Sequence, residues 1–250
     1  MKTCVITGAA SGIGEALARY YCQKGYQVIG IDRQSKTLKA FDSSFSLVEF
    51  DLKNTEGFTH LIKDLPETID IFIHSAGINH VGRFETSEVS SQATVLDINF
   101  KAPVLLTQEL LKQGKLAHGS SVVFIASLSH QLSYPGASVY AASKDGLTAF
   151  ARSLGILLKA KGIHVLTVFP GPTRTPHASM HSPDNSREHK RMLPEHLAKL
   201  INKAIDRKQL TLVPGAVNKL FAFAGTYFPR LGERIMVKSL YQKILEKEAS

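Results

Sequence analysis

The chain has 250 residues, of which 44% are hydrophobic and 20% charged, with two cysteines and a formal net charge of +9. That balance excludes extended disorder, and the length suits one large α/β domain around a single core. The charge is uneven: residues 1–150 hold 13 Lys/Arg and 14 Asp/Glu, whereas residues 151–250 hold 17 and 7. A solvated basic face is the simplest account of this bias, with an anionic substrate, an anionic membrane surface and nucleic acid as functional alternatives.

The opening "MKTCVITGAASG" has one lysine and a short apolar run before turn residues, so it reads as a first strand and not as a secretory leader. No stretch resembles a membrane span, and the expected compartment is the cytoplasm. Cys4 and Cys22 lie in apolar runs without metal-like or redox spacing and are expected to be buried, reduced thiols. No HExxH or ligand-spaced histidine cluster occurs, so no metal is expected.

Short β-branched runs at 3–7, 26–31, 46–50, 69–74, 121–126, 163–169 and 209–213 read as seven strands, separated by helix-like stretches such as "GIGEALARYYCQKG" and "GLTAFARSLGILLKAKG". Several strands are apolar at nearly every position, as happens when helices cover both faces of a sheet. The expected fold class is α/β: a Rossmann-type, doubly wound, parallel seven-stranded sheet in a single domain. The stretch 170–194, rich in Pro, Ser and His, reads as a long irregular loop.

"VITGAASGIGEAL" sets Gly8, Gly12 and Gly14 between the first strand and the first helix. Glycines there let the backbone turn and approach a diphosphate, which the helix N-terminus attracts through its amides. The spacing is GxxxGxG and departs from the standard GxGxxG. Asp32 ends the second strand, where a carboxylate can accept hydrogen bonds from ribose hydroxyls and repel a 2′-phosphate. NAD is therefore expected, with NADP as the alternative because Arg33 stands beside the acid. Asp51 and Leu52 follow the third strand, and "SAG" (75–77), with Ala76 and Gly77, follows the fourth. Both lie where strand ends would line adenine and ribose, and both also suit ordinary turns.

Ser127 ends the strand "SVVFIA", and "SVYAASK" (138–144) puts Tyr140 and Lys144 on one helical face. A phenol is a poor acid-base group near neutrality, and an ammonium one turn away would stabilise its phenolate. Tyr140 could then exchange a proton with an alcohol oxygen that Ser127 orients. Asn99, polar in an apolar helical stretch, suggests a buried amide with a specific task or a helix-bend residue.

With these residues together the sequence resembles the short-chain dehydrogenase/reductase family: "TGAASGIG", Asp51, Asn99, Ser127, "YAASK" and "PGPTRT" occur in the family's order over about residues 1–215. The resemblance implies that Tyr140 is the catalytic acid/base, Ser127 binds the substrate oxygen, Lys144 binds the nicotinamide ribose and lowers the tyrosine pKa, and Asn99 holds a relay water. It implies cofactor contacts at Gly8, Ser11, Gly12, Ile13, Gly14, Asp32, Arg33, Asp51, Leu52, Ala76, Gly77, Tyr140, Lys144, Pro170, Gly171, Thr173 and Thr175. The implied activity is hydride transfer between nicotinamide and a secondary alcohol or ketone, by a homodimer or homotetramer; no nucleic-acid partner is expected, because the basic C-terminal part carries no recognised reading motif. A nucleotide sensor without turnover is the alternative, though a sensor has no need of an activated phenol. The family often has "NNAG" where this chain has "HSAG" (74–77), which puts the local sheet support in question.

Residues 1–215 are expected to form the dinucleotide-binding catalytic domain, including a substrate loop at 172–194 where Arg174, His177 and His181 could meet an acidic substrate. Residues 216–250 would be a basic amphipathic extension packed on the same domain. In it Leu231, Ile235, Leu240, Ile244 and Leu245 can share a face flanked by Arg234, Lys238, Lys243 and Lys247. A weak membrane-surface contact through 229–250 and a cover for a long apolar substrate are the functional readings of that stripe.

Overall fold

The computed structural model describes residues 1–33, 41–129, 134–182, 185–186, 188–242, 244 and 246. In chain order its elements are β1 (Thr3–Thr7), α1 (Gly12–Gln23), β2 (Gln27–Asp32), β3 (Phe45–Glu49), α2 (Phe58–Lys63), β4 (Ile71–His74), α3 (Val89–Leu96), α4 (Ala102–Lys112), β5 (Ser121–Ile125), α5 (Ser138–Lys159), β6 (His164–Val168), α6 (Pro176–His181), α7 (Pro194–Asp206), β7 (Thr211–Leu212), α8 (Ala216–Tyr227) and α9 (Pro229–Met236). A π-helical turn at Asp97–Lys101 joins α3 to α4, and another at Val237–Tyr241 continues α9.

The strands form one parallel sheet in the order β3-β2-β1-β4-β5-β6-β7. The order reverses direction between β1 and β4, which opens a crevice at their carboxyl ends. Alternate residues of each strand serve opposite cores. Val5, Phe72, Val122, Phe124 and Val165 pack with residues of α2, α4 and α5. Cys4, Ile6, Ile73, Val123, Ile125 and Leu166 pack with residues of α1 and α7. Phe72 and Phe124 are fully buried, a burial that contributes about 1.5–3 kcal/mol for each side chain. The two free thiols, Cys4 and Cys22, belong to the second core.

Strand boundaries shift where local bonds compete. The Tyr26 amide donates to the Tyr21 carbonyl at 3.1 Å and finishes α1, so β2 starts at Gln27. The seventh strand shrinks to two residues at the sheet edge, with β6 as its partner. The expected irregular loop is more ordered than its composition suggests. Thr173 bridges Met192, and Arg174 N donates to Met192 O at 2.8 Å, so 174–191 leaves and returns at one closed base carrying α6. Positions 183, 184 and 187 of the loop lie outside the described residues.

Past β7, α8 presses Ala222 against Ala126, Leu128 and Phe169, at the carboxyl ends of β5 and β6. Further on, Ile244 is 5% exposed and its Cδ1 closes on Gly136, where an added Cβ would come within 2.8 Å of it. Of the expected stripe, the side chains of Leu231, Ile235, Leu240 and Leu245, with Lys243 and Lys247 on its flank, lie outside the described residues. Among the described residues no helix is long and apolar enough to cross a membrane.

Candidate active site

In a parallel sheet every strand ends on the same side, so residues just after the strands gather there. Gly8 to Gly14 follow β1, Asp32 and Arg33 end β2, and Asp51 and Leu52 follow β3. Ala76 and Gly77 follow β4, Ser127 follows β5, and Pro170 to Thr175 follow β6. Tyr140 and Lys144 come from the first two turns of α5.

The glycine turn is closed by contacts a side chain would forbid. Gly8 has φ +70°, and a Cβ there would lie 2.7 Å from Ala76 Cα. Gly14 lets α1 press onto the Gly8 carbonyl. Ser11 precedes α1 with extended backbone and no side-chain cap bond, which leaves first-turn amides as donors for an anion. Ile13 is half-buried against the second core, and the next segment arrives at Gly12, where a Cβ would stand 3.2 Å from Thr175 Cγ2. These features fit a dinucleotide diphosphate: a backbone-lined turn, uncapped amides and no room for larger side chains.

Asp32 Oδ2 accepts the Ala10 amide at 3.0 Å, which ties the acid to the glycine turn, while Arg33 is exposed beside it. Asp51 Oδ1 accepts from Lys53 N at 2.9 Å and so holds its own turn. The Leu52 side chain belongs to the first core, which leaves its backbone as the part near the cleft.

The reactive floor is held by long-range bonds. Thr7 Oγ1 accepts from the Ser75 and Ala76 amides, both at 3.2 Å, and joins the ends of β1 and β4. Asn99, fully buried in the π-turn, accepts from Ile78 N at 2.8 Å and donates to Ile78 O at 2.9 Å and to Ser143 Oγ at 3.1 Å. Ser143 Oγ in turn donates to the Tyr140 carbonyl at 2.7 Å. Lys144 is buried and donates to Ile125 O at 2.9 Å, with its Nζ 5.8 Å from the centre of the Tyr140 ring. Gly77 leaves the space beside that ammonium open, since a Cβ there would lie 3.3 Å from Nζ.

Burial pushes the Tyr140 phenol above its ordinary pKa, and a hydrogen bond with Ser127 opposes that rise. Ser127 Oγ accepts from Ser129 N at 3.1 Å, which leaves its proton to donate towards the phenol oxygen. Burial also lowers Lys144 to about 8. The phenol is thus raised on balance and not lowered as the sequence suggested: desolvation outweighs the help it receives, and the lysine is turned to a carbonyl.

His74 resolves the departure from the asparagine pattern. Its Nε2 lies 2.8 Å from Thr107 Oγ1, and that hydroxyl already donates to Pro103 O at 2.7 Å, so Nε2 is the donor. The ring stacks on Phe124 at 4.8 Å, and burial lowers its pKa to about 3, so it is a neutral strut across the sheet at every physiological pH.

The roof is built from the segment after β6. Thr173 Oγ1 donates to Gly171 O at 3.0 Å, and Thr175 Oγ1 accepts from Ala178 N at 3.1 Å to start α6. On α6, His177 and His181 pack ring to ring at 4.5 Å. His177 is solvent-exposed on one side, yet its pKa is lowered by desolvation first and then by His181 and Lys144. His181 is lowered by desolvation and by His80. Neutral imidazoles weaken the reading of this loop as a trap for acidic substrates, and Arg174 is turned to His189 O at 2.9 Å. Tyr134 meets Tyr140 edge to face at 6.2 Å, a neighbour that sequence reasoning did not single out. Asn79 Oδ1 and Ser129 Oγ are buried without a hydrogen-bond partner among the described residues. Thr7, Ser129, Tyr134 and Ser143 carried no signal beyond lying close to the motifs.

Among the described residues no group of three or more His, Cys, Asp and Glu could hold a metal ion. Residues 2–186 match the family model for short chain dehydrogenases. A zebrafish (Danio rerio) protein named dehydrogenase/reductase SDR family member 7B is 30% identical over 190 residues, which are 70% of this chain and 62% of that protein. A short-chain dehydrogenase structure from Streptomyces avermitilis is 26% identical, with a TM-score of 0.79 over 98% of this chain and 97% of that one. A structure of 4-hydroxyisoleucine dehydrogenase complexed with NADH is 26% identical, with a TM-score of 0.76 over 85% of this chain and 96% of that one. With the parallel sheet, the glycine turn and the serine, tyrosine and lysine gathered at the strand ends, the chain belongs to the short-chain dehydrogenase/reductase family of NAD(P)-dependent oxidoreductases.

Proposed function

We propose that this chain interconverts a secondary alcohol and a ketone with Tyr140 as the acid/base, and that NAD is the preferred cofactor. The observation that carries this reading is the meeting of Ser127, Tyr140 and buried Lys144 beside the glycine turn, with Ser127 bonded to the phenol. The turn from Gly8 to Gly14 would hold the diphosphate, Asp32 the adenosine ribose, and Pro170 to Thr175 the nicotinamide side. Bound nicotinamide supplies or accepts hydride at the substrate carbon. In reduction Tyr140 gives its proton to the carbonyl oxygen, and in oxidation it takes that proton back. Ser127 donates a hydrogen bond to the same oxygen, and the Lys144 ammonium stabilises the phenolate left behind. Asn99 keeps the Ile78 backbone and, through Ser143, the first turn of α5 in place.

The preference for NAD rests on Asp32, whose carboxylate is tied to Ala10 and would repel a 2′-phosphate. Association into a dimer or tetramer is supported by exposed Val89 and Leu96 on α3 and Ile156 and Leu157 on α5. Buried free Cys4 and Cys22 suit a reducing compartment, in keeping with a cytoplasmic enzyme. Tyr140→Phe is the direct test. It should bind NADH as the parent does and lose at least about a thousandfold in turnover. Parental turnover would reject the mechanism, and tighter binding of NADPH than NADH in the same titrations would reject the role of Asp32.

A further inference from the structure

Helix α8 turns its apolar side chains outward. Ala222 and Gly225 are buried, while Val217, Leu220, Phe221, Phe223, Tyr227 and Phe228 are exposed, Leu220 by 68% and Phe223 by 57%. At about 100° per residue the five on the helix, Val217, Leu220, Phe221, Phe223 and Tyr227, fall within one arc of about 160°, so the apolar surface runs unbroken along α8, and Phe228 follows at its C-terminal cap. A contiguous face with four aromatic rings is more than a monomeric soluble protein ordinarily leaves in water.

A cationic rim adjoins this face. Lys219 stands on α8, Arg230 and Arg234 on α9, and Lys238 just beyond, while Glu233 is the only acid between positions 207 and 245. Tyr227, Phe228, Pro229, Arg230 and Arg234 line one shallow depression, so guanidinium groups and aromatic rings share a wall. The sequence suggested an amphipathic anchor at 229–250. The structure moves its apolar part upstream to α8 and buries Ile244 instead.

We propose that α8 and α9 form a docking face for an anionic lipid bilayer, with the α8 side chains in the interface and Arg230 and Arg234 at the level of the lipid phosphates. Charge selects this occupant over a second copy of the chain. A self-complementary contact through the face would gather Lys219, Arg230, Arg234 and Lys238 of both copies against one Glu233 from each, an excess of like charge that the phosphates of an anionic bilayer would instead neutralise. Aromatic side chains with an arginine flank suit the headgroup boundary, where rings enter the acyl region and cations meet phosphate.

The test is sedimentation of the full-length protein with vesicles of phosphatidylcholine alone and of phosphatidylcholine mixed equally with phosphatidylglycerol. Binding is expected to the mixed vesicles, weaker in high salt, and much less to the neutral ones. Replacing both arginines, Arg230→Ala with Arg234→Ala, should lower partitioning about thirtyfold, at about fivefold for each cation near the surface. Leu220→Ser with Phe223→Ser should lower it about a hundredfold, at about tenfold for each side chain withdrawn from the interface. Both pairs are exposed, so the melting temperature and turnover of a water-soluble ketone should stay at the parent's level. If the serine pair misfolds, the arginine pair and the salt dependence decide. The proposal is overturned by a full-length protein that ignores anionic vesicles, by binding that survives the arginine pair, or by a dimer that the serine pair splits.

Discussion

On the floor of the cleft, Thr7 bonds to amides 68 and 69 residues away, Asn99 to a backbone 21 away, and Lys144 to a carbonyl 19 away. In the roof, Thr173 bonds two residues back, Thr175 three ahead, and Ser179 reaches Glu188 at a separation of nine. The floor is therefore fixed by the whole sheet, whereas the roof is an excursion that largely organises itself. In the proposed mechanism proton transfer depends on the first and substrate fit on the second, so the two should be separable by mutation.

After Tyr140→Phe, Lys144→Met should give the largest effect and expose what the floor costs. Turnover should fall about a thousandfold, because the phenolate loses its nearby cation. Stability should move the other way. The folded pKa is about 8, below the usual 10.5, so the unfolded chain binds more protons between those values and stability rises with pH across that window. The penalty is fully present below about pH 8. Removing it, less about 1 kcal/mol for the bond to Ile125 O, should stabilise the protein at pH 7 by about 2 kcal/mol. A melt that shows Lys144→Met less stable than the parent would deny the penalty.

Asn99→Ala is next. It strands the Ile78 amide and carbonyl and frees Ser143 Oγ, which should cost about 2–4 kcal/mol in urea unfolding and lower kcat more than it raises KM. The pH profile sharpens the same contrast: reduction at saturating substrate should decline as pH rises through about 8, where Lys144 loses its charge while the raised Tyr140 phenol keeps its proton. A rate that stays level from pH 7 to 10 would remove the ammonium from the mechanism. At the small end, His177→Ala in the roof should change KM by less than about tenfold and leave stability within about 0.5 kcal/mol. A collapse of kcat there would erase the division between floor and roof.

The sheet was legible because its interior strands are apolar on both faces and separated by helices of ordinary length, which is a local signal. The site motifs were legible for a related reason, since parallel strands end on one side and "TGAASGIG", Ser127 and "PGPTRT" each sit just past such an end. What the sequence concealed is pairing at a distance. Nothing in "HSAG" shows that His74 will find Thr107 33 residues on, or that Asn99 will bond Ile78 instead of bending its helix towards solvent. The direction of the Tyr140 shift was also hidden, because burial is a property of the folded surroundings and not of the spacing to Lys144. In the C-terminal third, periodicity gave apolar stripes without saying which stripe is covered: Ile244 is buried, while Leu220 and Phe223 remain outside.

The π-turn at Asp97–Lys101 makes α3 and α4 one rod with a phase slip in the middle. An extra residue in a helix rotates everything beyond it by about 100°, and here that rotation is what lets Asn99 look inward while the helices on either side keep their own faces to the core. Deleting a single residue from this turn would repair the regular hydrogen bonding and lengthen a good helix. It would also swing one side of the rod a quarter-turn out of register, so a shorter and locally tidier sequence would be a disarmed one.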